Sequence, residues 1–364
     1  MARKKQSKLR VGIIGTGGIA GAHLDSYLRM EDVEVVGGSD IVKGKARAFF
    51  DGKGLTDAQA FTDNAGLLAL GLDAVSVCTY NTTHAECAIA AINAGAHVLC
   101  EKPMSVTLAD AIEMHETAQK KNKILMIGFQ PRFDPNMALV REIVGSGELG
   151  DVYYIQTGGG RRRGIPGGTF IRRELAGVGA LADIGCYSLD MVLSAVGYPK
   201  PLTVSAFASD KFGRNPKYFH DAKNFDVDDF SVALIRLEGG IALDFRISWA
   251  MHMDTTGDTL FFGTKAGLKI KPAGTGHPWG GAWDGTIGPI FLYSDLAGQL
   301  CETSIPLREP SHDRFYLKVR SFCDAVLKGG PAPIPTIEGV YNQAVVDGIY
   351  RSSQLGREVE IAGL

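Results

Sequence analysis

The chain has 364 residues and a formal net charge of -2, and 45% of its residues are hydrophobic. A chain of this length can bury a large core, and a usual size of about 150 residues per domain predicts two domains. The near-neutral charge gives no global electrostatic reason to expect a nucleic acid or a membrane surface as a partner.

Targeting, membrane and metal signals are weak throughout the sequence. Met1 to Lys8 is basic, but glycine interrupts the apolar run after it and no cleavage site follows, so we expect a short disordered tail. We find no run of the ~20 apolar residues that a membrane span needs. The six cysteines show no CxxC pair and no metal-ligand spacing, which predicts reduced thiols, no metal site and a cytoplasmic location.

Residues 9–28 predict a buried strand, a glycine turn and a helix in direct succession. The turn from Gly15 to Ala20 has the form of the dinucleotide fingerprint that ends in alanine. We expect Gly15 to make the tight turn and Gly17 to leave room for a pyrophosphate at the start of the helix. A plain strand-to-helix connection is the alternative. The predicted cofactor-binding residues of this turn are Gly15, Thr16, Gly17, Gly18 and Ile19.

A second apolar run, residues 33–40, ends at Asp40. This carboxylate follows the turn by roughly the ~20 residues at which an acid binds the adenosine ribose hydroxyls. A carboxylate there repels a 2'-phosphate, so the predicted cofactor is NAD rather than NADP. The alternative is that Asp40 caps the helix that follows.

Strand and helix patterns alternate from residue 9 to about 130. This predicts an α/β Rossmann domain over residues 1–130, a doubly wound parallel sheet with helices on both faces. Ligands bind outside the carboxyl ends of the strands of such a sheet. We therefore expect cofactor contacts from polar residues that follow three strands, namely Thr79, Asn81, His84, Glu101, Lys102 and Gln130. For His84, a structural hydrogen bond is an equally supported alternative.

Beyond Pro131 the predicted strands follow one another without regular helices. This pattern predicts an α+β domain over residues 131–364 with a large, mostly antiparallel sheet. Helices are predicted again for residues 312–327 and 337–353. The stretch between Lys271 and Gly288 is rich in Gly, Pro and Trp and predicts a long loop, a class that is often functional.

Three further motifs accompany the glycine turn and Asp40. They are the tripeptide Glu101-Lys102-Pro103, the segment from Gly128 to Pro135 and the segment from Gly177 to Asp190. Their order and spacing, over essentially the whole chain, resemble the family of glucose-fructose oxidoreductase, inositol 2-dehydrogenase and the rhizopine catabolism proteins. The resemblance implies a pyridine-nucleotide enzyme that acts on hydroxyl groups of sugars, polyols or their derivatives.

The resemblance also implies catalytic roles. The family's Glu-Lys-Pro lysine, near the nicotinamide and the reacting hydroxyl, maps onto Lys102, and the aspartate of its Asp-x-x-x-His element maps onto Asp183. Tyr187 stands where the family has histidine. A tyrosine is mostly protonated near neutrality, but a lysine cation can lower its pKa. Our hypothesis is that Tyr187 and Lys102 share the proton transfer.

A helix from Asp183 to Val196 would place Asp183, Tyr187 and Asp190 on one face. In the alternative interpretation, Asp183 is only an N-cap and Tyr187 is a half-buried core residue. The family resemblance favours the catalytic interpretation.

Candidate substrate-binding residues extend beyond the catalytic set. The arginine run at 161–163 follows a predicted strand and could bind a carboxylate, a phosphate or several hydroxyls, although most arginine runs are simply solvated. Trp249 and His252 are weaker candidates for a sugar-stacking wall, with core packing the better expectation for the tryptophan. The predicted substrate-binding residues are Lys102, Arg161, Arg163, Asp183 and Tyr187.

The leading interpretation is an NAD-dependent dehydrogenase with a small carbohydrate as its partner. Two alternatives stay open: a redox-neutral glycoside-processing enzyme that keeps NAD bound, and a non-catalytic NAD-binding sugar sensor. The resemblance also implies a homodimer or homotetramer that forms through the open face of the second-domain sheet. We expect neither nucleic acid nor membrane as a partner.

Overall fold

The computed structural model describes residues 8–253, 257–272 and 287–364. The predicted tail before Lys8 and the interior of the predicted loop between Lys271 and Gly288 lie outside these residues. The strands are β1 (Leu9–Ile14), β2 (Val33–Ser39), β3 (Gln59–Phe61), β4 (Ala74–Val77), β5 (His97–Cys100), β6 (Leu125–Ile127), β7 (Val152–Gly158), β8 (Pro201–Ser209), β9 (Phe230–Leu237), β10 (Ile241–Ser248), β11 (Thr259–Gly263), β12 (Ala266–Pro272), β13 (Ile287–Leu296), β14 (Gln299–Ile305) and β15 (Val359–Glu360). The helices are α1 (Gly18–Tyr27), α2 (Lys45–Asp51), α3 (Asn64–Leu68), α4 (His84–Asn93), α5 (Leu108–Lys120), α6 (Pro135–Gly145), α7 (Arg173–Ala176), α8 (Cys186–Ala195), α9 (Arg314–Lys328) and α10 (Thr336–Leu355).

The chain divides into two compact units. Unit 1 comprises residues 1–105, 109–128 and 312–340, and unit 2 comprises residues 106–108, 129–311 and 341–364. The predicted boundary at residue 130 lies close to one of these divisions, but α9 belongs to unit 1. A boundary inferred from a change of strand pattern does not detect a later helix that returns to the first sheet.

Unit 1 contains the predicted doubly wound sheet. Its six strands are all parallel, in the order β3-β2-β1-β4-β5-β6. The central strands are buried on both faces, as Val11, Ile13, Val75 and Val98 show, which explains their continuous apolar sequence. Because β1, β4 and β5 are neighbours, the turns after their carboxyl ends lie side by side at one edge of the sheet.

Unit 2 contains a nine-stranded sheet in the order β14-β13-β12-β11-β7-β10-β9-β8-β15. Only β7 and β10 pair in parallel; the other pairs are antiparallel, which confirms the predicted mostly antiparallel sheet. Strands β7, β8 and β10 run in the same direction. The loops that follow these three strands therefore lie at the same edge of the sheet.

Several predicted elements differ from the structure. The sequence pattern of residues 61–70 predicts a helix, but the helix is shorter, because β3 ends at Phe61 and α3 covers only Asn64–Leu68. Strands β12, β13 and β14 were not predicted. Most of β14 is exposed or half-buried, so the apolar alternation that indicates a strand is missing there.

One stretch of the described residues is long and apolar enough, by length and composition only, to cross a membrane. This stretch, Arg173–Ala195, includes α7 and α8, and 83% of its most apolar window is buried inside the protein. Its apolar character therefore reflects a position in the core of unit 2.

Candidate active site

The turn after β1 has the geometry that the dinucleotide fingerprint requires. Gly15 has a φ of +83°, and a Cβ there would lie 2.7 Å from the carbonyl oxygen of Cys78, so only glycine is accommodated. A Cβ on Gly17 or Gly18 would meet no protein atom within 4 Å. No side chain caps the first N–H groups of α1, where half-buried Ile19 lies in the first turn. Open space and backbone donors at this helix start fit a pyrophosphate.

Asp40 lies directly beyond β2 and is bonded to this turn. Its Oδ2 accepts hydrogen bonds from the N–H (3.0 Å) and the hydroxyl (2.9 Å) of Thr16, and Lys45 Nζ lies 2.8 Å from the same oxygen. Burial acts to raise the pKa of Asp40, but hydrogen bonds from Lys45, Val42 and Thr16 outweigh burial and lower it. Helix α2 begins beyond Gly44, with no side-chain cap, so Asp40 does not cap it. The contact with ribose stays a prediction.

His84 has the structural hydrogen bonds of the alternative interpretation. Its Nδ1 lies 2.7 Å from the carbonyl oxygen of Pro103, and its Nε2 lies 3.3 Å from that of Thr79. Burial lowers the pKa of His84 and so favours the neutral ring, which has one N–H to donate; the carbonyl oxygen of Pro103 is the nearer of the two acceptors. Thr79 and Asn81, in the same loop after β4, are half-buried. His84 thus connects this loop to the turn after β5.

Glu101, predicted as a cofactor contact, belongs to a buried polar network inside unit 1. Its Oε1 accepts from Lys318 Nζ (2.5 Å) and lies 2.7 Å from His23 Nε2, while His23 Nδ1 lies 2.9 Å from Ser76 Oγ. Burial acts to raise the pKa of Glu101, yet the Lys318 and His23 partners hold it far below the ordinary value. A Cβ on Gly128 would lie 2.8 Å from Glu101 Oε1, so glycine leaves room for this carboxylate.

Lys102 occupies the turn between two anchored neighbours. Glu101 on one side is bonded to Lys318, and the carbonyl of Pro103 on the other side accepts from His84. Lys102 itself is half-buried, whereas Glu101 and Pro103 are buried. The network thus restricts the backbone of this lysine.

Asp183 lies in a π-helical turn, Leu181–Gly185, that leads directly into α8. The predicted helix from Asp183 is therefore present, but its first turn is wider than an α-helical turn; such turns are rare and often mark functional sites. The carboxylate of Asp228 accepts from the N–H groups of Gly179 (2.6 Å) and Leu181 (3.0 Å) and so fixes the entry to this turn. A Cβ on Gly179 would lie 2.0 Å from the carbonyl oxygen of Asp228, which explains the glycine.

The Asp183 side chain is oriented by Trp249. The indole Nε1–H donates to Asp183 Oδ2 at 3.0 Å, and Trp249 is 0% exposed at the end of β10. Asp183 is therefore not an N-cap residue. Because Trp249 is fully buried, its proposed role as a sugar-stacking wall is wrong, and its indole instead positions a carboxylate.

Tyr187 is 7% exposed and makes its hydroxyl contacts with Gln130. The hydroxyl oxygen lies 2.6 Å from Gln130 Nε2 and 2.9 Å from Gln130 Oε1, and Phe129 contacts the ring edge-to-face. An amide can donate to a phenolate and accept from a phenol. Gln130, predicted as a cofactor contact, therefore supplies Tyr187 with a partner in both protonation states.

Asp190 has a structural role. It is fully buried and forms a forked ion pair with Arg132, in which Nε lies 2.9 Å from Oδ2 and Nη2 lies 2.7 Å from Oδ1. The Tyr198 hydroxyl also donates to Asp190 at 2.7 Å. This cluster holds α8 beside the segment that contains Gln130.

The arginines of the predicted substrate run differ in exposure. Arg161 is buried and donates to the carbonyl of Gly164 at 2.6 Å, whereas Arg163 is exposed. Arg163 contacts the carbonyl oxygen of Met251 (2.9 Å) and His252 Nδ1 (3.0 Å). His252, unlike Trp249, is exposed.

Sequence reasoning missed Lys318, Asp228 and the indole–Asp183 contact. Lys318 could have been noticed, since it falls on the apolar stripe of α9 with Phe315 and Phe322. No sequence signal identifies the other two. Across the described ranges, no group of three or more His, Cys, Asp or Glu side chains could hold a metal ion. Five of the six cysteines are buried, and Cys301 is partly exposed.

A family model for oxidoreductases with an NAD-binding Rossmann fold matches residues 9–129, and the model for the GFO/IDH/MocA C-terminal domain matches residues 137–269. The chain belongs to the GFO/IDH/MocA family. The resemblance stated from the sequence is thereby confirmed. The family model and the named relatives support an NAD(P)-dependent oxidoreductase activity on sugars or polyols.

The relatives match over different shares of the chain. D-glucoside 3-dehydrogenase of Escherichia coli K12 is 33% identical over 98% of both chains. Inositol 2-dehydrogenase of Salmonella typhimurium is 38% identical over 39% of this chain and 43% of its own. Among solved structures, levoglucosan dehydrogenase in complex with NADH has a TM-score of 0.80 at 20% identity, covering 98% of this chain and 100% of the other. Aldose-aldose oxidoreductase from Caulobacter crescentus has a TM-score of 0.77 at 23% identity, covering 97% of this chain and 99% of the other. At such identities the structural likeness shows the fold alone.

Proposed function

We propose that the protein is an NAD-dependent dehydrogenase that oxidises the hydroxyl at carbon 3 of a D-glucoside. The observation that carries this proposal is the similarity to the D-glucoside 3-dehydrogenase of Escherichia coli over 98% of both chains. The inositol 2-dehydrogenases of Salmonella match over 39% of the chain, and the scyllo-inositol 2-dehydrogenase of Bacillus subtilis, which matches over 98% of it, is only 22% identical, so a cyclitol is the less supported substrate. No observation favours the redox-neutral enzyme or the sugar sensor.

The proposed cofactor is NAD. The uncapped start of α1 and the open space beside Gly17 and Gly18 fit its pyrophosphate, and the Asp40 carboxylate would accept from the ribose hydroxyls and repel a 2'-phosphate. When bound, NAD supplies the hydride acceptor for the oxidation. Lys45, 2.8 Å from Asp40 and partly exposed, is a cation that could instead face a 2'-phosphate. The preference for NAD over NADP is therefore a proposal, which variants of Asp40 and Lys45 can test.

The proposed catalytic roles divide the proton chemistry among three side chains. Oxidation of a secondary alcohol transfers a hydride from carbon and a proton from the hydroxyl, so a base must lie within hydrogen-bond reach. We assign proton acceptance to Tyr187, with Lys102 as the cation that favours the phenolate, on the family motif. Asp183, held by Trp249, would accept a hydrogen bond from a second substrate hydroxyl.

The test is the formation of NADH from NAD with methyl D-glucoside, followed by ultraviolet absorbance. The matched control substrate is the 3-deoxy glucoside, which lacks the reacting hydroxyl and should give no NADH. Lys102→Ala should lower kcat by about 10²–10⁴-fold while NAD binding is nearly kept, as general acid–base catalysis requires. Oxidation of the 3-deoxy glucoside would show that another carbon reacts, and near-normal turnover by the variant would remove Lys102 from the mechanism.

We also propose that two copies associate through the open face of the nine-stranded sheet. The other face packs against α8, whereas this face exposes Phe207, Leu234, Phe262 and Tyr293 on four different strands. Exposed apolar patches of this kind often mark association surfaces. A cytoplasmic location stays a prediction from the sequence.

A further inference from the structure

We propose that the loops at one edge of the unit 2 sheet form a subsite for an anionic group, a carboxylate or a phosphate, carried by the glycoside substrate. The subsite consists of Arg163, Phe212, Tyr218 and His252. We call these four residues the Arg163 cluster. The inference rests on the proposed function, because it names the class of glucoside that the protein takes.

The loops that supply the Arg163 cluster are rich in positive charge. Residues 159–166 follow β7, residues 210–221 follow β8 and residues 249–253 follow β10, all at the same edge of the sheet. Together these segments contain six Arg or Lys residues and two Asp residues. The whole chain has a net charge of -2, so the excess of positive charge is local to this edge. Such a local excess attracts anions even where the net charge does not.

The Arg163 guanidinium has a donor left for a ligand. Nη1 donates to the carbonyl oxygens of Arg162 (2.6 Å) and Met251 (2.9 Å), and Nη2 lies 3.0 Å from His252 Nδ1 and 3.4 Å from His252 Nε2. Of the five N–H donors of a guanidinium, the Nε–H has no hydrogen-bond partner among the residues that the structure describes. An oxygen of a carboxylate or phosphate that accepts from this N–H would form a charge-assisted hydrogen bond.

Aromatic rings hold this guanidinium in place. Its central carbon lies 4.8 Å from the Phe212 ring centroid and 5.0 Å from that of Tyr218, and both rings contact the ring of His252. Ring faces attract the cation and restrict its position, so that its remaining donor is held in place for an anion. Lys217 Nζ, 5.5 Å from the Tyr218 centroid, adds a second positive charge.

The Arg163 cluster is connected to Asp183 through one short stretch of chain. Trp249 donates to Asp183, and Arg163 contacts Met251 and His252, only two and three residues further along the chain. Two residues span at most about 7 Å between Cα atoms. On this connection we place the anionic substituent of a glycoside held by Asp183 at Arg163.

The test compares kcat/KM for methyl D-glucoside, methyl D-glucosiduronate and D-glucose 6-phosphate, which separates the neutral sugar from the carboxylate and the phosphate. We expect an anionic substrate to exceed the neutral one and to lose its advantage with added salt. Arg163→Gln should lower the ratio of anionic to neutral kcat/KM by roughly ten- to hundredfold, and Arg163→Lys should keep part of it. Arg214→Gln is the matched control, since Arg214 lies in the same loops but pairs with Asp210; it should leave the ratio unchanged.

Three results would overturn the inference. These are equal use of all three substrates by the wild type, an equal loss for all substrates in Arg163→Gln, or the same ratio change in Arg214→Gln. If the wild type oxidises none of them, the proposed function fails, and calorimetric binding of methyl D-glucosiduronate with NADH present still decides the inference. If Arg163→Gln weakens this binding and Arg214→Gln leaves it unchanged, the result supports the subsite. If methyl D-glucosiduronate does not bind to the wild type, the subsite is ruled out.

Discussion

At the scale of single residues, the Tyr187–Gln130 pair is the feature that distinguishes this site from the histidine version of its family. The phenol oxygen lies within 2.9 Å of both amide atoms of Gln130, and the ring is otherwise buried against Phe129. A proton leaving Tyr187 would therefore be compensated by donation from Nε2. In the proposed mechanism, this amide would let a weakly acidic side chain exchange a proton without a second base at that position.

Gln130→Glu should raise the pKa of Tyr187, because a carboxylate replaces an amide donor beside the phenolate. We expect kcat to fall by about 10²-fold and the ascending limb of the kcat–pH profile, where Tyr187 loses its proton, to move to higher pH. Phe129→Leu is the matched control, since it loses only the ring contact and should lower thermal stability without moving that limb. A Gln130→Glu profile with an unmoved limb would contradict the role given to the amide.

Cofactor preference is a second property of single side chains. Asp40→Ala should weaken NAD binding and narrow the advantage of NAD over NADP, because the repulsion of a 2'-phosphate is removed. Lys45→Met keeps the carboxylate but removes the neighbouring cation, so it should preserve or widen that advantage. The measurement is the dissociation constant of each nucleotide by fluorescence titration. An unchanged ratio in Asp40→Ala would assign ribose recognition to another residue.

At the scale of elements, α9 completes unit 1 from a distant part of the sequence. Its apolar face packs against α1, and Lys318 on that face is fully buried and bonded to Glu101, the residue before Lys102. Buried charges are costly unless they are paired and hydrogen-bonded. Helix α9 is thus bound to the turn that contains the proposed catalytic lysine.

Lys318→Met should lower the free energy of unfolding by about 3–5 kcal/mol, because it leaves the Glu101 carboxylate buried without its cation. The pKa of Glu101 is lowered in the folded state. The ion pair therefore contributes its full stabilisation above about pH 4.5, and this stabilisation decreases as the pH falls towards the lowered pKa. The deficit of the variant should therefore be largest at neutral pH and smaller below about pH 4.5. Urea unfolding of the variant and the wild type, at neutral pH and below about pH 4.5, measures this deficit.

Lys328→Met is the matched control for this variant. Lys328 lies at the end of the same helix, is exposed and pairs with Asp324 at 3.3 Å, so its replacement should change unfolding little at either pH. Equal deficits for the two variants, or a Lys318→Met deficit independent of pH, would show that the buried pair does not stabilise α9 in this way.

At the scale of the whole molecule, the sequence predicts the two sheets well and their side-chain pairings poorly. Continuous apolar strands and the glycine turn identify unit 1 because burial and backbone geometry leave local signals. The contacts of Asp183 with Trp249 and of Glu101 with Lys318 join residues that are 66 and 217 positions apart. No local pattern specifies such pairs. The residue types of the site were therefore predictable, whereas their hydrogen-bond partners were not.

The open sheet face also belongs to this scale, because the proposed association of two chains would cover it. Leu234→Glu places a charge on a 41% exposed side chain in the middle of that face and should shift the protein from dimer or tetramer towards monomer, since burying an unpaired charge in an interface is unfavourable. Sedimentation velocity measures the distribution of species. Leu28→Glu, at a 47% exposed leucine in unit 1, is the control and should leave the distribution unchanged. A monomeric wild type, or equal dissociation in both variants, would remove this face as the association surface.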